Sequence, residues 1–451
     1  MWFRRDLRLL DNPALSAAAA AADADGDGRV VPLFVVDPAL WTASGPVRRA
    51  YLRESLRALD ESLDGNLLLR HGDPASMVAQ VVAAAGARSV HVAADFAPYG
   101  QRRDALVEAA VDGVPFVRTG SPYAVAPGRV TKDDGTPYRV FTPFYRGWMS
   151  HGWRAPADDV PGETQWWMPM ACDGYPTAPD IGDVALPRAG EEAAWSRWEA
   201  FRAARLASYA DLRNRADIDA TSGISHHLRF GELHPRSLLA ELGDQDETFR
   251  KELCWREFYA DVLHQRPDSV RASLDPRFDD EMNWATGEGA DDLFAAWCEG
   301  RTGYPFVDAG MRQLRAEGWM HNRVRMVVAS FLVKDLHLPW QRGAREFMHW
   351  LRDGDLASNT HGWQWTAGCG TDAAPFYRIF NPVLQGLKFD PDGAYVRRYV
   401  PELRHLDGNA VHEPWKADAG YAEGYPRPVV DHGAERAVAL ADHGLLAPRD
   451  R

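Results

Sequence analysis

Cysteine, lysine and long apolar runs are scarce in this 451-residue chain. The four cysteines, Cys172, Cys254, Cys298 and Cys369, form no C-x-x-C pair, which argues against structural zinc and predicts small buried thiols in a reducing compartment. The longest apolar runs, such as residues 324–333, are too short to cross a bilayer, and no charged segment precedes an apolar one at the N-terminus. We therefore expect a soluble, cytoplasmic protein that has no membrane contact.

The remaining composition is that of a globular protein with more than one domain. Hydrophobic residues make up 45% and charged residues 25% of the chain, which excludes disorder and collagen-like repeats. A single core is unusual at this length. The net charge of −13 disfavours a general nucleic-acid coat protein, but residues 300–405 carry 14 Arg and Lys against 10 Asp and Glu, a net of +4. That segment can form a local basic face.

The first third of the chain alternates strand and helix patterns. Short β-branched runs at residues 30–36, 67–69 and 89–93 are separated by amphipathic patterns such as 47–63, which predicts a parallel sheet with crossover helices. Asp73 suits the cap of one helix, Pro74 its first position and Gly86 its left-handed exit. No G-x-G-x-x-G follows a strand, so this region offers no sequence evidence of dinucleotide binding.

The rest of the chain changes character twice. Residues 121–190 are rich in Pro, Gly and Asp and show little periodicity, which predicts a long connecting segment rather than a third domain. Helical patterns begin after Glu191 and are clearest at 248–263 and 324–336. The last forty residues contain several prolines, including Pro448, and we expect a loosely packed tail.

One predicted helix brings acidic, aromatic and basic side chains onto one face. Helical spacing places Glu252, Trp255, Arg256 and Tyr259 together. An ordinary amphipathic helix with core aromatics explains the pattern. The alternative is a patch that stacks on a flat ring and hydrogen-bonds its edge, as an extruded nucleobase requires.

A second stretch suits the same purpose. Asn322 and Met326 lie one helical turn apart beside Arg323, and they offer amide edge recognition, a soft apolar contact and a phosphate ligand. Each residue taken singly is more often structural. We interpret His321 as a satisfied polar residue rather than a base.

The densest group of polar and aromatic residues spans 353–365. Asp353, Gly354 and Asp355 precede Asn359, Trp363 and Trp365. The two acids could bind a hard cation, but the spacing of a calcium loop is absent and no metal is expected. Hydroxyls and amides at Tyr209 and 221–225 suit phosphate oxygens, although a Ser or Thr helix cap is the commoner explanation.

Several longer motifs resemble one family. They are Trp2-Phe3-Arg4-Arg5-Asp6-Leu7-Arg8 with Asp11-Asn12, Trp255-Arg256-Glu257-Phe258-Tyr259, and Gly370-Thr371-Asp372-Ala373-Ala374-Pro375 running to Phe380-Asn381-Pro382. The chain resembles the DNA photolyase and cryptochrome family over nearly its whole length, and most of all a class I cyclobutane pyrimidine dimer photolyase. The resemblance implies an α/β Rossmann-like parallel-sheet domain at 1–120, a linker at 121–190, and an all-α domain at 191–451 that binds U-shaped FAD and DNA.

The resemblance also implies an activity. Excited reduced FAD donates an electron to a pyrimidine dimer in UV-damaged DNA, the cyclobutane ring opens, and the electron returns. The cofactor performs the hard step, so no acid-base triad or nucleophile is required of the protein.

Roles for individual residues follow from the resemblance alone. The flavin contacts it implies are Tyr209, Thr221, Ser222, Gly223, Ile224, Ser225, Arg325, Asp353, Gly354, Asp355 and Asn359. Arg325 pairs with Asp353, and Asn359 faces flavin N5, where its amide stabilises the reduced ring. The tryptophan chain that photoreduces the flavin consists of Trp363, Trp340 and, across a small insertion, Trp284.

Lesion contacts are implied in the same way. Those residues are Glu252, Trp255, Arg256, Asn322, Arg323, Met326, Trp365 and Arg378. Glu252 hydrogen-bonds the thymine edge and can stabilise the radical anion. In (6-4) photolyases histidines stand at the positions of Asn322 and Met326, so this pocket favours a cyclobutane dimer.

The chain departs from its relatives at three histidines and leaves the antenna pigment open. His226, His227 and His361 stand where other residues are common, and they could alter flavin packing or redox tuning. For the antenna, the residues of interest are Arg48, Asp95, Tyr99 and Gly100. They favour 8-hydroxy-5-deazaflavin over methenyltetrahydrofolate, because folate-binding relatives carry a glutamate where this chain has Gly100. An empty pocket is the alternative.

Two other functions stay open at this point. A cryptochrome-like blue-light receptor would keep FAD without repairing DNA. A non-catalytic single-strand-binding module would use aromatic platforms and arginines without any flavin. We expect a monomer, and nothing in the sequence implies a protein partner.

Overall fold

A computed structural model describes residues 1–26, 28–158, 164–371 and 377–446, which form two compact units. Unit 1 comprises Met1–Ile181, Pro187–Ala207 and Ser222–Pro267, and unit 2 comprises Gly182–Leu186, Ser208–Thr221 and Asp268–Arg451. The helical region after residue 191 therefore contributes to both units. Domain boundaries at residues 120 and 190 stay a prediction.

Short strands and many helices make up the described chain. The strands are β1 (Trp2–Phe3), β2 (Arg29–Val30), β3 (Leu33–Val36), β4 (Leu68–His71), β5 (Val90–Val92), β6 (Phe116–Arg118) and β7 (Gln165–Trp166). The helices are α1 (Pro13–Asp25), α2 (Pro38–Ala43), α3 (Pro46–Ser62), α4 (Pro74–Ala85), α5 (Pro98–Ala110), α6 (Phe141–His151), α7 (Glu191–Ala204), α8 (Tyr209–Leu212), α9 (Ser225–Phe230), α10 (Pro235–Ala240), α11 (Glu247–Gln265), α12 (Arg277–Asp280), α13 (Glu288–Glu299), α14 (Pro305–Glu317), α15 (Asn322–Lys334), α16 (Trp340–Trp350), α17 (Leu356–Ala367), α18 (Pro382–Phe389), α19 (Ala394–Tyr399) and α20 (His432–Leu445). Short 3-10 helices occupy Leu206–Ser208, Asp244–Asp246, Pro267–Val270, Pro401–Leu403, Gly408–His412 and Pro414–Lys416.

Unit 1 contains the seven strands of the described residues, and they pair in parallel. β3 lies between β1 and β4, β5 pairs with β6, and β2 pairs with β7. Every residue of β3 is buried, as expected of a parallel strand covered on both faces. The predicted run at 30–36 is broken into β2 and β3 at Val31 and Pro32, because proline has no N–H to donate to a ladder. The parallel sheet with crossover helices is confirmed.

Helix α4 begins and ends where its sequence signals predict. The Asp73 carboxylate accepts a hydrogen bond from the Ser76 N–H at 3.0 Å, and Pro74 occupies the first turn. Gly86 follows the helix with φ 57°, the left-handed conformation that glycine adopts without a steric penalty.

The segment at 121–190 holds more regular structure than its composition suggests. Helix α6 buries Phe144, Tyr145 and Trp148 on one face, and β7 pairs with β2. Pro143 is tolerated in α6 because it lies in the first turn, where backbone N–H groups have no partner within the helix. The interpretation of 121–190 as a connecting segment stays a prediction, and the segment contains this helix and strand.

Unit 2 is helical, as predicted, and has one large apolar core. Helices α13 to α17 contribute most of it, including the fully buried Trp297, Phe306, Phe331 and Trp340. Both ends of helix α15 lie two residues before the ends of the predicted helix at 324–336. Helix α11 of unit 1 extends the predicted helix at 248–263 by one or two residues at each end.

The C-terminal residues are packed, which corrects the expectation of a loose tail. The Tyr425 hydroxyl donates to the buried carboxylate of Asp308 at 2.5 Å, and the Tyr304 hydroxyl donates to the Val430 carbonyl at 2.9 Å. Helix α20 follows. Polar contacts of this kind have no periodic sequence signal, and Pro448 lies outside the described residues.

The described residues include all four cysteines. All four thiols are free; Cys254 and Cys369 are buried and Cys298 is half-buried. Cys172 is exposed, so the expectation of a buried thiol was wrong there: it lies in the proline-rich surface segment. No described helix combines the length and the apolarity needed to span a bilayer. The same ranges contain no cluster of three or more potential metal ligands.

Candidate active site

Helix α11 of unit 1 presents the predicted mixed face. Glu252, Trp255, Arg256 and Tyr259 are all half-buried, whereas Leu253 and the residues that alternate with this stripe are buried. Spacings of three and four residues produce that division, as the sequence predicted. The stripe leaves a carboxylate, an indole and a guanidinium partly open on one side of the helix.

Two neighbouring elements fix the orientation of this face. The Trp255 ring stacks on Phe141 of α6, with ring centroids 3.7 Å apart and planes within 6°. Arg256 donates to the carbonyl oxygens of Pro122 at 2.9 Å and Leu228 at 3.1 Å, and its guanidinium lies over the Tyr123 ring. Arg256 therefore braces unit 1 as well as supplying positive charge.

Glu257 is a structural residue that the sequence reasoning did not single out. Its buried carboxylate accepts hydrogen bonds from Trp148 Nε1 at 2.7 Å, the Ala124 N–H at 2.5 Å and the Val125 N–H at 3.0 Å. Burial raises the pKa of Glu257 against the opposing effect of these bonds. The sequence does contain a signal for this structural role, namely a glutamate on the buried side of an amphipathic helix. Glu257 holds α11 to the segment that follows residue 121.

The loop at 222–225 passes directly against an arginine. Arg197 of α7 donates from Nε to the Ser222 carbonyl oxygen at 2.7 Å. Gly223 has φ 64°, and a Cβ at this position would lie 2.9 Å from Arg197 Nε. Ile224 is buried and Ser225 is exposed. A glycine-containing loop beside a guanidinium fits a phosphate group, and Arg197 was missed because it lies 25 residues before Ser222.

The histidines that follow this loop belong to a buried polar network in unit 1. His227 Nδ1 lies 2.5 Å from Glu232 Oε2, and the Tyr51 hydroxyl donates to the same carboxylate oxygen at 2.9 Å. The Gly190 N–H donates to its other oxygen at 2.9 Å. His226 is equally buried and its ring meets Tyr51 edge to face. These departures from the family pattern are therefore part of the packing of unit 1.

In unit 2 the expected ion pair of Arg325 and Asp353 is present. Arg325 Nη2 donates to Asp353 Oδ2 at 2.8 Å, and Arg325 Nε donates to the Met320 carbonyl oxygen at 2.8 Å. The Asp353 side chain is 3% exposed and that of Arg325 is 24% exposed. The pair anchors the segment that leads into α17 through Gly354, which is also buried.

Helix α17 has one open, polar face. Asp355 caps the helix by accepting from the Ser358 N–H at 3.0 Å. Asp355, Ser358, Asn359, Gly362 and Trp365 are the half-exposed positions that recur every three or four residues. A Cβ at Gly362 would meet no atom of the described residues within 4 Å. An open face lined by a carboxylate and an amide fits the polar edge of an isoalloxazine ring and its ribose.

Asn359 is held in one orientation. Its Nδ2 donates to the Ala344 carbonyl oxygen of α16 at 3.0 Å. That bond fixes the plane of the amide and leaves its other hydrogen-bonding groups for a ligand on the open face.

The three tryptophans of the proposed electron chain all lie in unit 2. Trp363 and Trp340 are buried and Trp284 is half-buried. The Trp363 ring lies against Gly343, where a Cβ would approach Cη2 to 2.1 Å, and Gly343 is one helical turn after Trp340. Trp297 was missed: its ring centroid is 6.1 Å from that of Trp363 in an edge-to-face contact. Trp297 is part of the α13 apolar stripe, which looks like ordinary core in the sequence.

The predicted lesion contacts of unit 2 lie at two places. Asn322 is exposed at the start of α15 and Met326 is half-buried one turn later. Arg323 donates from Nη2 to Asn214 Oδ1 at 2.8 Å. The Arg378 guanidinium lies over the Trp365 ring, 5.0 Å from its centroid. These two expected lesion contacts are therefore adjacent.

His321 is a structural residue, as interpreted from the sequence. Its Nδ1 accepts from the Arg323 N–H at 3.2 Å and so caps α15. Burial lowers the pKa of His321 to about 4, which keeps the ring neutral and able to accept. His361 is likewise fixed, between the Ala357 carbonyl oxygen at 2.8 Å and Ser269 Oγ at 3.0 Å.

The remaining expected flavin and motif residues occupy ordinary structural positions. Tyr209 is buried under the Arg213 guanidinium, and Thr221 is half-buried. Asn381 caps α18 by accepting from the Leu384 N–H at 2.9 Å. Gly370 and Thr371 are described, whereas Asp372, Ala373, Ala374 and Pro375 of the same motif lie outside the described residues.

Among the expected antenna residues of unit 1, Asp95 lies beside several arginines. Burial alone would raise the pKa of Asp95, but Arg103, Arg5 and Arg4 outweigh it and the pKa is lowered. A Cβ at Gly100 would come within 2.1 Å of Asp95 Oδ2. The Tyr99 hydroxyl donates to Asp37 at 2.6 Å, and Arg48 is buried in α3. No side chain fits at position 100 while Asp95 keeps this orientation.

The parallel-sheet segment, the helical segment and the open polar and aromatic faces together fit a flavin-binding protein that handles a nucleic acid. Comparison with known proteins is more specific. A family model described as DNA photolyase matches residues 1–162, and one described as the FAD binding domain of DNA photolyase matches residues 249–444. The chain is 41% identical over 460 residues to a deoxyribodipyrimidine photo-lyase of Streptomyces griseus, covering 98% of each chain. It belongs to the DNA photolyase and cryptochrome family.

Solved structures agree with this assignment. A bacterial class III photolyase from Agrobacterium tumefaciens matches with a TM-score of 0.87 and 36% identity, covering 99% of this chain and 96% of that one. A Synechocystis cryptochrome matches with a TM-score of 0.86 and 27% identity, covering 97% of each. The expected photolyase fold is confirmed.

Proposed function

We infer that this protein is a deoxyribodipyrimidine photo-lyase, an enzyme that uses light to split cyclobutane pyrimidine dimers in UV-damaged DNA. The observation that carries this conclusion is the match to curated photo-lyases along the whole chain, at 41% identity to the Streptomyces griseus enzyme and 36% to that of Escherichia coli. The described chemistry agrees, because open aromatic and cationic faces are present and no nucleophile is needed.

FAD binds to this enzyme, and we propose that the residues assigned above hold it. When bound in reduced form it supplies a light-excited electron donor. Arg197 and the loop at 222–225 are proposed to bind a phosphate. Asp355 and Asn359 would hold the polar edge of the flavin on the open face of α17, and the ion pair of Arg325 with Asp353 would keep that segment in place.

The same proposal gives the lesion contacts their tasks. Glu252 would hydrogen-bond a base edge, since it lies half-buried on the exposed stripe of α11 beside Trp255. Trp365 with Arg378 would give an aromatic wall beside a positive charge. Extruding the lesion costs less than extruding a normal pair, because a dimer pairs weakly.

The lesion type can be tested through two side chains. Asn322 is exposed and Met326 is half-buried on one side of α15. Neither side chain can donate a proton as an acid, which the histidines at these positions in (6-4) photolyases can do. The purified enzyme should repair DNA that contains cyclobutane dimers in light and leave (6-4) lesions unchanged. Repair of (6-4) lesions would overturn the substrate assignment. Membership of class I stays a prediction from the sequence.

A cryptochrome-like receptor is the second candidate, favoured by the similarity to the Synechocystis cryptochrome. A flavin-loaded protein that leaves dimers intact in light would establish it. A colourless protein that binds single strands would instead establish the non-catalytic binding module.

We propose 8-hydroxy-5-deazaflavin as the antenna, because a glutamate contact at position 100 is excluded by the position of Asp95. Arg48 and Tyr99 would line the same region. Extraction of the bound pigment and its mass would decide between the deazaflavin, a folate and an empty site. A cytoplasmic monomer is proposed as the working form, and sedimentation of the purified protein tests its size.

A further inference from the structure

A buried carboxylate in unit 1 joins three helices beside the loop at 222–225. The Glu232 side chain is fully buried, and one of its oxygens accepts from His227 Nδ1 of α9 at 2.5 Å and from the Tyr51 hydroxyl of α3 at 2.9 Å. Its other oxygen accepts from the N–H of Gly190, the residue before α7, at 2.9 Å. Because a buried carboxylate is costly without partners, these donors and Glu232 hold one another in place.

Two of the helices joined by this carboxylate also hold the loop. Helix α7 begins directly after Gly190 and carries Arg197, which donates to the Ser222 carbonyl oxygen at 2.7 Å. Helix α9 begins at the last residue of the loop, and His227 lies in its first turn. Glu232 therefore fixes the position of the arginine that contacts the loop relative to the helix into which the loop runs.

The backbone on both sides of this network is tightly packed. Gly190 has φ 96°, and a Cβ at this position would overlap the Ala58 Cβ of α3. Gly231 precedes the carboxylate with φ 71°, and a Cβ there would overlap the Arg5 carbonyl oxygen. Close packing of this kind transmits displacement, so a movement of Glu232 would also move the start of α7 and the end of α9.

We propose that Glu232, His227 and Tyr51 are positioning residues that set the affinity for FAD through the phosphate loop. The proposal rests on the proposed function, in which Arg197 and the loop at 222–225 bind a phosphate. Removing one donor would leave the buried carboxylate short of a partner, and α7 and α9 would shift as the surroundings relax. Arg197 and the loop would then no longer meet a phosphate in one fixed geometry. The departure from the family pattern at His227 would thus serve to retain the flavin.

The test is the affinity of the full chain for FAD, measured from the flavin fluorescence released when the FAD-loaded protein is diluted. His227→Leu and Tyr51→Phe should each weaken FAD binding about tenfold, the lower end of what supporting residues contribute to affinity at metal sites. His227→Asn, whose amide can still donate to Glu232, should restore most of the affinity. Ser55→Ala is the matched control, because it removes a buried hydroxyl that donates to the Tyr51 carbonyl oxygen at 3.1 Å, and it should leave the affinity unchanged.

Two double variants show where the network acts. Combined with Arg197→Met, Tyr51→Phe should add little further loss of affinity, because both changes act on the same contact with the loop. Combined with Asn359→Ala, which alters the proposed contact with the flavin ring, the two losses should multiply. If the thermal midpoint shows that His227→Leu is misfolded, Tyr51→Phe carries the test, since it keeps the ring and removes one hydrogen bond.

Failure of the network and failure of the proposed phosphate site give different results. Wild-type affinity in Tyr51→Phe and His227→Leu, or a loss in Tyr51→Phe that multiplies with that of Arg197→Met, would overturn the positioning role while the phosphate site stands. An unchanged affinity in Arg197→Met would overturn the phosphate site and the proposal with it. The expected affinities in a protein that repairs no dimers would support the positioning role and overturn only the proposed enzyme.

Discussion

Removal of the Arg325 guanidinium tests whether the ion pair with Asp353 organises the region proposed to bind flavin. Arg325→Met keeps the length of the side chain and deletes both of its hydrogen bonds, to Asp353 Oδ2 and to the Met320 carbonyl oxygen. The Asp353 carboxylate would then stay 97% buried without its cation, since its side chain is 3% exposed.

The expected loss follows from those contacts. Both bonds have the charged guanidinium as donor, and a hydrogen bond to a charged group contributes about 1.5–3 kcal/mol. We expect Arg325→Met to lower the free energy of unfolding by about 3 kcal/mol. For a unit of the size of unit 2, a loss of about 3 kcal/mol corresponds to a fall of roughly 6–12 °C in the thermal midpoint of unfolding. FAD content after purification should fall as well, because Asp353 leads directly into Asp355 and Asn359.

Urea unfolding of the variant and of Arg345→Met, which changes an exposed arginine on α16, measures this loss. The double variant Arg325→Met with Asp353→Asn should lose less than the sum of the single losses, with a coupling of about 1–2 kcal/mol. Additive losses, or a loss below about 0.5 kcal/mol for Arg325→Met, would refute the reasoning.

Three other predictions follow from single residues. Trp363→Phe should slow photoreduction of oxidised flavin far more than it slows repair by chemically reduced enzyme, and equal losses in the two assays would count against the tryptophan chain. Glu252→Ala should lower the repair yield per absorbed photon more than it weakens binding to undamaged DNA, with Glu247→Ala as control; an unchanged yield would remove Glu252 from the mechanism. Burial raises the pKa of Asp390 to about 6, above its ordinary value of about 3.9, so the folded protein holds a proton there that the unfolded chain releases. Relative to Asp390→Asn, the wild type should therefore lose up to about 3 kcal/mol of stability as the pH rises from about 4 to about 6. Urea unfolding across that range measures the loss, with Asp392→Asn as control. A stability difference between the wild type and Asp390→Asn that stayed constant with pH would contradict this.

Local sequence signals predicted much of the fold. The cap, first proline and terminal glycine of α4 act within one helical turn, so Asp73, Pro74 and Gly86 could be placed without tertiary information. The stripe of α11 was predictable for the same reason, because spacing alone decides which residues share a helical face. Helix α6 was missed because Pro143 and Gly147 usually interrupt helices, yet buried aromatic contacts outweigh them here.

Contacts between distant residues could not be predicted in this way. Glu257 accepts from Trp148, and Ser273 meets Trp340, across 109 and 67 residues respectively. Neither pairing leaves a periodic pattern. The pair of Arg325 and Asp353 was expected only because the chain resembles a known family.

The most direct test of the central claim is repair by the purified protein in light and in darkness. The protein should carry a flavin absorption spectrum and, once reduced, should convert cyclobutane dimers in DNA to intact pyrimidines only when illuminated in the flavin band. Dimers that persist at the same level in light and darkness, in the presence of bound and reduced flavin, would contradict it.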